Sequence, residues 1–103
     1  MDASERRRAH RAHINLRVRY RRPDGSEVYA TIDNISHAGV LLVGGEALPT
    51  GTHLELEFDD PSGRRHQVGG NVVRSEPKGG VAVAFVRVDD LTLEFIRDAL
   101  EKA

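Results

Sequence analysis

The chain contains no cysteine, which excludes disulfides and thiolate-held metals. It has no apolar run approaching the roughly 20 residues that a membrane-spanning helix needs. Its basic N-terminus is not followed by an apolar stretch, so it does not read as a secretory signal. None of its glycine pairs precedes a G-K-[ST] sequence, so no phosphate-binding loop of that type is present. Aromatic residues are sparse: Tyr20, Tyr29, Phe58, Phe85 and Phe95. They fall mostly at inward positions and read as core rather than as a platform for stacking bases. What is left is one domain of 103 residues, 39% hydrophobic and 30% charged. That is enough for a real but modest core, with a cytoplasmic setting as the default expectation and no membrane insertion.

Charge is unevenly spread. Residues 1–22 hold eight arginines against Asp2 and Glu5, a net +6. Residues 23–103 hold seven Lys or Arg against fourteen Asp or Glu, a net −7. A basic arm joined to an acidic body points to an anionic partner for the arm, or to attraction between the two halves.

Periodicity of two dominates the body. Ile14, Leu16, Val18 and Tyr20 alternate with Asn15 and three arginines, which predicts a half-buried strand. Pro23-Asp24-Gly25-Ser26 turns the chain into a second strand with Val28, Ala30 and Ile32 inward, ending near Asn34. Gly39-Val40-Leu41-Leu42-Val43 is a short apolar strand, and Leu54, Leu56 and Phe58 mark a fourth. Residues 65–75 read as a longer strand in which Gly69-Gly70 predicts a bulge or bend. Val81, Val83 and Phe85 mark the sixth. The period then changes. Asp89 or Asp90 can cap a helix, with Leu93, Ile96 and Leu100 on one face and Phe95 and Ala99 alongside. Short strands, tight turns and no crossover helices predict an all-β fold. The expected architecture is a six-stranded antiparallel β-barrel with a flexible N-terminal arm and one C-terminal α-helix. The arm is expected over residues 1–13, the barrel over 14–103, and the helix at about 90–101.

Two short motifs carry the chemistry. The first is Glu5-Arg6-Arg7-Arg8-Ala9-His10-Arg11 on the arm. Arginine binds phosphate or the O6/N7 edge of guanine with two parallel hydrogen bonds, and its planar face stacks on bases. Arg7 and Arg11 can converge if the arm folds over a ligand, while Arg6 and Arg8 add positive potential. The second is Asp33-Asn34-Ile35-Ser36-His37-Ala38-Gly39 at a strand end. Asn34 and Ser36 each donate and accept hydrogen bonds. Gly39 can adopt a positive φ or let a flat ligand approach the backbone. A plain Asx or Ser turn between two strands accounts for the same residues.

Together these features resemble the PilZ domain, a bacterial receptor family for cyclic di-GMP. The family carries an RxxxR motif on its N-terminal switch segment and a (D/N)xSxxG motif on the barrel. Arg7 and Arg11 match the first. Asn34, Ser36 and Gly39 match the second, with Asn in place of the commoner Asp. Leu48-Pro49-Thr50-Gly51-Thr52 is similar to the family's PxG connection, Gly70-Asn71-Val72-Val73-Arg74 to its GxVVR strand, and Gly80-Val81-Ala82-Val83-Ala84-Phe85 to its GVxF strand. The resemblance implies that Arg7 and Arg11 grip phosphate and guanine. It implies that Asn34 and Ser36 hydrogen-bond a guanine on the barrel surface and that Gly39 leaves room for it. A basic residue at Arg6 is similar to members that take two intercalated ligand molecules.

The implied function is a non-enzymatic receptor. Ligand would order residues 5–13 over the barrel and alter a surface for a downstream effector protein, acting in trans as an adaptor. One rival is a protein-interaction module of the same fold that binds no nucleotide. Another is nucleic-acid binding through the arm, against which the missing aromatic face counts. A metal at His10 and His13 is disfavoured by the surrounding arginines and by the lack of a nearby carboxylate or cysteine at ligand spacing. Asp33, Ser36 and His37 hold the residue types of a catalytic triad but crowd one turn, so no enzyme is expected.

Overall fold

The computed structural model describes residues 11–103. Six strands follow in order: β1 (Ala12–Arg21), β2 (Glu27–Ile35), β3 (Gly39–Val43), β4 (His53–Asp59), β5 (Arg65–Ser75) and β6 (Val81–Val88). One helix, α1 (Asp90–Glu101), ends the chain. The strands close into an antiparallel barrel in the order β1-β2-β3-β6-β5-β4. The barrel and the C-terminal helix are therefore as expected, and residues 1–10 of the expected arm lie outside the described residues. β1 opens at Ala12, two residues ahead of the boundary read from the alternation.

Alternation explains the core. Val18, Ile32, Leu56, Phe58, Val68 and Val83 are buried at period-two positions and fill the barrel from every side. Closure is uneven. β1 pairs with β2 along most of its length, but with β4 only through Val18↔Phe58 and Arg19↔Glu57. The Arg19 guanidinium bonds the Glu57 carboxylate across that seam. Just beyond that seam, at the C-terminal end of β1, the Tyr20 hydroxyl donates to Glu46 Oε1 (3.2 Å) and Arg22 donates to Glu46 Oε2 (2.9 Å). These bonds fasten the β3–β4 loop to the end of β1.

Register shifts mark where the ladder departs from simple alternation. The expected irregularity at Gly69-Gly70 is present in the β5–β6 pairing. A Cβ on Gly70 would stand 2.7 Å from the Ala84 carbonyl oxygen and 2.6 Å from Val83 Cγ1, so the glycine is needed for close strand approach. A second shift falls between Ile32 and Asn34 in the β2–β3 pairing. Asp33 is the extra residue there. In consequence Ile32 and Ile35, three apart, both reach the core.

The helix starts as its sequence predicts. Asp89 is extended at φ −80 and ψ 169, and its side chain accepts from the Thr92 backbone N–H at 2.8 Å. α1 lies against β5 and β1 and adds Ile96 and Leu100 to the core. Thr92 rather than Leu93 completes its buried stripe. Among the described residues no helix is long and apolar enough to cross a membrane.

Candidate functional site

The second motif is built by the end of β2 and the turn into β3. Asn34, just past the shift at Asp33, and Ser36, in the turn, are both buried. The Ser36 hydroxyl oxygen accepts from the backbone N–H groups of Ala38 (3.1 Å) and Gly39 (3.3 Å). The Ser36 N–H donates back to the Gly39 carbonyl at 2.9 Å. Ser36 therefore makes the compact Ser turn that its residue type allows, and the turn aims its hydroxyl.

Arg11, the last residue of the first motif, lies against the second. Its Nε donates to Asn34 Oδ1 at 2.5 Å, and its Nη1 lies 3.5 Å from Ser36 Oγ. These bonds span 23 and 25 residues of sequence, made possible because β1 and β2 are neighbours and His13 pairs with Asn34. The other end of the Asn34 amide is held too: Nδ2 donates to Asp33 Oδ2 at 3.0 Å. His13 Nδ1 approaches the same carboxylate oxygen at 3.9 Å. The cluster thus gathers a guanidinium, an imidazole, a carboxylate, an amide and a hydroxyl where β1 begins and β2 ends.

Gly39 has a use in the barrel itself. It does not adopt a positive φ. A Cβ placed on it would collide with the Val83 carbonyl oxygen and stand 3.0 Å from the Val83 carbonyl carbon. Gly39 lets β3 pair with β6, at Gly39↔Ala84, close against its backbone. Arg6, Arg7 and Arg8, and the His10 of the disfavoured metal pair, lie outside the described residues.

The sequence profile of the PilZ domain matches residues 5–102. The chain belongs to the PilZ family. Solved structures, two of them named as PilZ domains, are similar to it in fold. The inhibitor of motility MotI/DgrA from Bacillus subtilis is 17% identical with a TM-score of 0.73, covering 89% of this chain and 48% of its own. This chain thus spans about half the length of that protein. The PilZ domain of CeSA, from a cellulose-synthesizing bacterium, is 20% identical with a TM-score of 0.63, covering 90% and 97%. The PilZ domain of YcgR from Escherichia coli, solved with c-di-GMP, is 10% identical with a TM-score of 0.69, covering 89% and 86%. No curated protein sequence is detectably similar to the chain.

In this PilZ domain a second polar cluster went unread in the sequence. His66 on β5 is buried, with Nε2 2.7 Å from Asp60 Oδ2 and Nδ1 2.9 Å from Thr92 Oγ1. An ionised carboxylate only accepts, so Nε2 carries a proton, and in the neutral ring Nδ1 accepts from the Thr92 hydroxyl. The imidazole stacks on Phe58 at 5.1 Å between centroids and lies 5.1 Å from the Phe95 ring. Hydrogen bonds from the Ser62 hydroxyl, then from His66, hold the Asp60 carboxyl well below the usual carboxylate range. The order Thr–His–Asp is that of a hydrolytic relay, but Thr92 is 0% exposed and no substrate can reach it. Its work is to tie the β4–β5 turn to α1. One signal was available: His66 shares its parity with Val68, which places it inside.

Proposed function

We propose that this chain is a non-enzymatic receptor for cyclic di-GMP. The observation that carries the reading is the Arg11 guanidinium lying against Asn34 and Ser36. Contact between the last residue of the first PilZ motif and the second motif supports one shared site. A guanine seated there meets acceptor and donor groups from Asn34 and Ser36, while Arg11 and Arg7 supply charge for the phosphates and planes for stacking. Arg6 and Arg8 raise the local positive potential, and Arg6 adds a contact if two ligand molecules intercalate. The E. coli YcgR PilZ domain, which shares this fold, was solved with that ligand. Binding closes the arginine segment over the barrel and changes the surface offered to a downstream effector protein, so the receptor acts as an adaptor.

A second reading is favoured by one feature. Arg11 is hydrogen-bonded to Asn34 and Ser36 of this chain, as it would be in an interaction module where it simply pins the start of β1.

Titration calorimetry with cyclic di-GMP separates the two. The wild type is expected to bind. Arg7→Ala and Arg11→Ala each lose about tenfold or more, the scale of a charge-assisted hydrogen bond. Ser36→Ala loses less directly but also loosens the turn. Absence of wild-type binding overturns the receptor reading, and full affinity in Arg11→Ala removes Arg11 from the clamp.

A further inference from the structure

A side-chain amide is two-faced. Its oxygen accepts, its NH2 donates, and a half-turn exchanges them with almost no change of shape. An Asn at a base-binding position therefore recognises nothing definite until something sets its orientation. In this chain two neighbours of Asn34 do so. Asp33, as a carboxylate, can only accept, and it takes the Nδ2 hydrogen at 3.0 Å. Arg11 can only donate, and it takes Oδ1. Both demand the same rotamer.

Arg11, however, belongs to the clamp. Once its guanidinium turns to a phosphate or a base, Asp33 alone still orients the amide. The contact between 33 and 34 is itself unusual, because consecutive strand residues point to opposite faces. It forms because Asp33 is the extra residue of the shift between Ile32 and Asn34.

We infer that Asp33 is a positioning residue that locks the Asn34 amide with its oxygen outward, and so makes the seat select guanine over adenine. This rests on the receptor reading above. An outward oxygen accepts from the N1–H and N2–H2 groups of guanine's Watson–Crick edge. Adenine presents an acceptor at N1 and is left unpaired there, which is costly once the edge is desolvated. A flipped amide would reverse the preference. The same logic explains how Asn serves where the family more often has Asp: an Asp presents an acceptor whichever way it turns, and the Asp33–Asn34 pair reproduces that with an amide.

The test titrates wild type, Asp33→Ala, Asp33→Asn, Asn34→Asp and the double variant Asp33→Ala/Asn34→Asp with cyclic di-GMP and with cyclic di-AMP. The readout is the ratio of the two affinities. Loss of the Asp33 charge acts equally on two ligands of equal charge and cancels in that ratio. Asp33→Ala is expected to lower the guanine preference about tenfold, the scale of one oriented hydrogen bond. The isosteric Asp33→Asn, which keeps the strand's shape, shifts it in the same direction by less. In the Asn34→Asp background, Asp33→Ala leaves the ratio within about threefold, because the aspartate needs no orienting partner. A merely structural role would weaken both ligands alike and would persist in that background. An unchanged ratio in both Asp33 variants, or an equal loss in the Asn34→Asp background, overturns the inference while the receptor reading stands. A wild type that binds neither nucleotide overturns both.

Discussion

Replacing Gly39 by alanine puts a methyl group against main chain that cannot step aside. The new Cβ would collide with the Val83 carbonyl oxygen and lie 3.0 Å from its carbonyl carbon and 3.1 Å from Ala84 Cα. All three obstacles are backbone atoms of β6, so no rotamer change relieves them. β3 is only five residues long and holds β6 through four paired positions, Gly39 to Leu42. It has little length over which to spread the displacement. Overpacking of this kind costs about 1–3 kcal/mol, and backbone-on-backbone overlap belongs at the upper end. About 3 kcal/mol in a domain of this size lowers Tm by roughly 10–20 °C. Gly80→Ala is the matched control. Its nearest neighbour would be Glu76 Oε1 at 3.4 Å, and its φ is not positive. There the added methyl restricts the unfolded chain and is expected to be neutral or to stabilise by up to about 1 kcal/mol. Circular-dichroism melting of the two variants reads the difference. If Gly39→Ala melts within a few degrees of Gly80→Ala, the reasoning fails, and the glycine of this motif serves the ligand rather than the barrel.

Two titrations test the buried polar groups. The Asp60 carboxyl is held below its ordinary range in the folded state, so its contribution to stability is present above the unfolded value of about 4 and is lost as pH falls below that. Melting temperature followed from pH 6 to pH 3 should fall more steeply in wild type than in Asp60→Asn; parallel curves would refute the coupling. The Tyr20 hydroxyl is pushed up to about 12, first by burial and then by the Glu46 carboxylate. Its contribution is whole below the unfolded value of about 10 and fades as pH climbs through the folded one. A phenolate absorbance step near pH 12 is expected, absent in Tyr20→Phe, and a wild-type titration complete by pH 11 would contradict it.

Much of the architecture was legible because its period is two. Leu54, Leu56 and Phe58 announce β4, and the same rule sorts β1 into Val18 and Tyr20 inside and Arg17 and Arg21 outside. The helix cap at Asp89 was equally plain. What escaped were departures from periodicity and bonds between distant segments. The shift at Asp33 breaks the register just past Ile32, and with it goes the contact that orients Asn34. Thr92 replaces Leu93 in the buried stripe because its hydroxyl has His66 to bond, a partner 26 residues away. The site divides in the same way. Residue types pointed to Arg11, Asn34 and Ser36, but the debt of Gly39 to β6 depends on a strand order that no local pattern encodes.

The narrow seam between β1 and β4 has a consequence for solution behaviour. With only Val18 and Arg19 engaged on that side, the first half of β1 presents backbone donors and acceptors that β4 does not take. Unpaired strand edges recruit strands from other molecules. The last turns of α1 lie over a groove bordered by Ala12, His13 and Ile14, with Ala99 and Lys102 on the helical side. The helix thus stands beside that edge as well as supplying core, where it would hinder the approach of a neighbouring chain. Truncation after Val88 would cost more than the burial of Ile96 and Leu100, because it would expose a template for self-association at the very strand whose start carries Arg11.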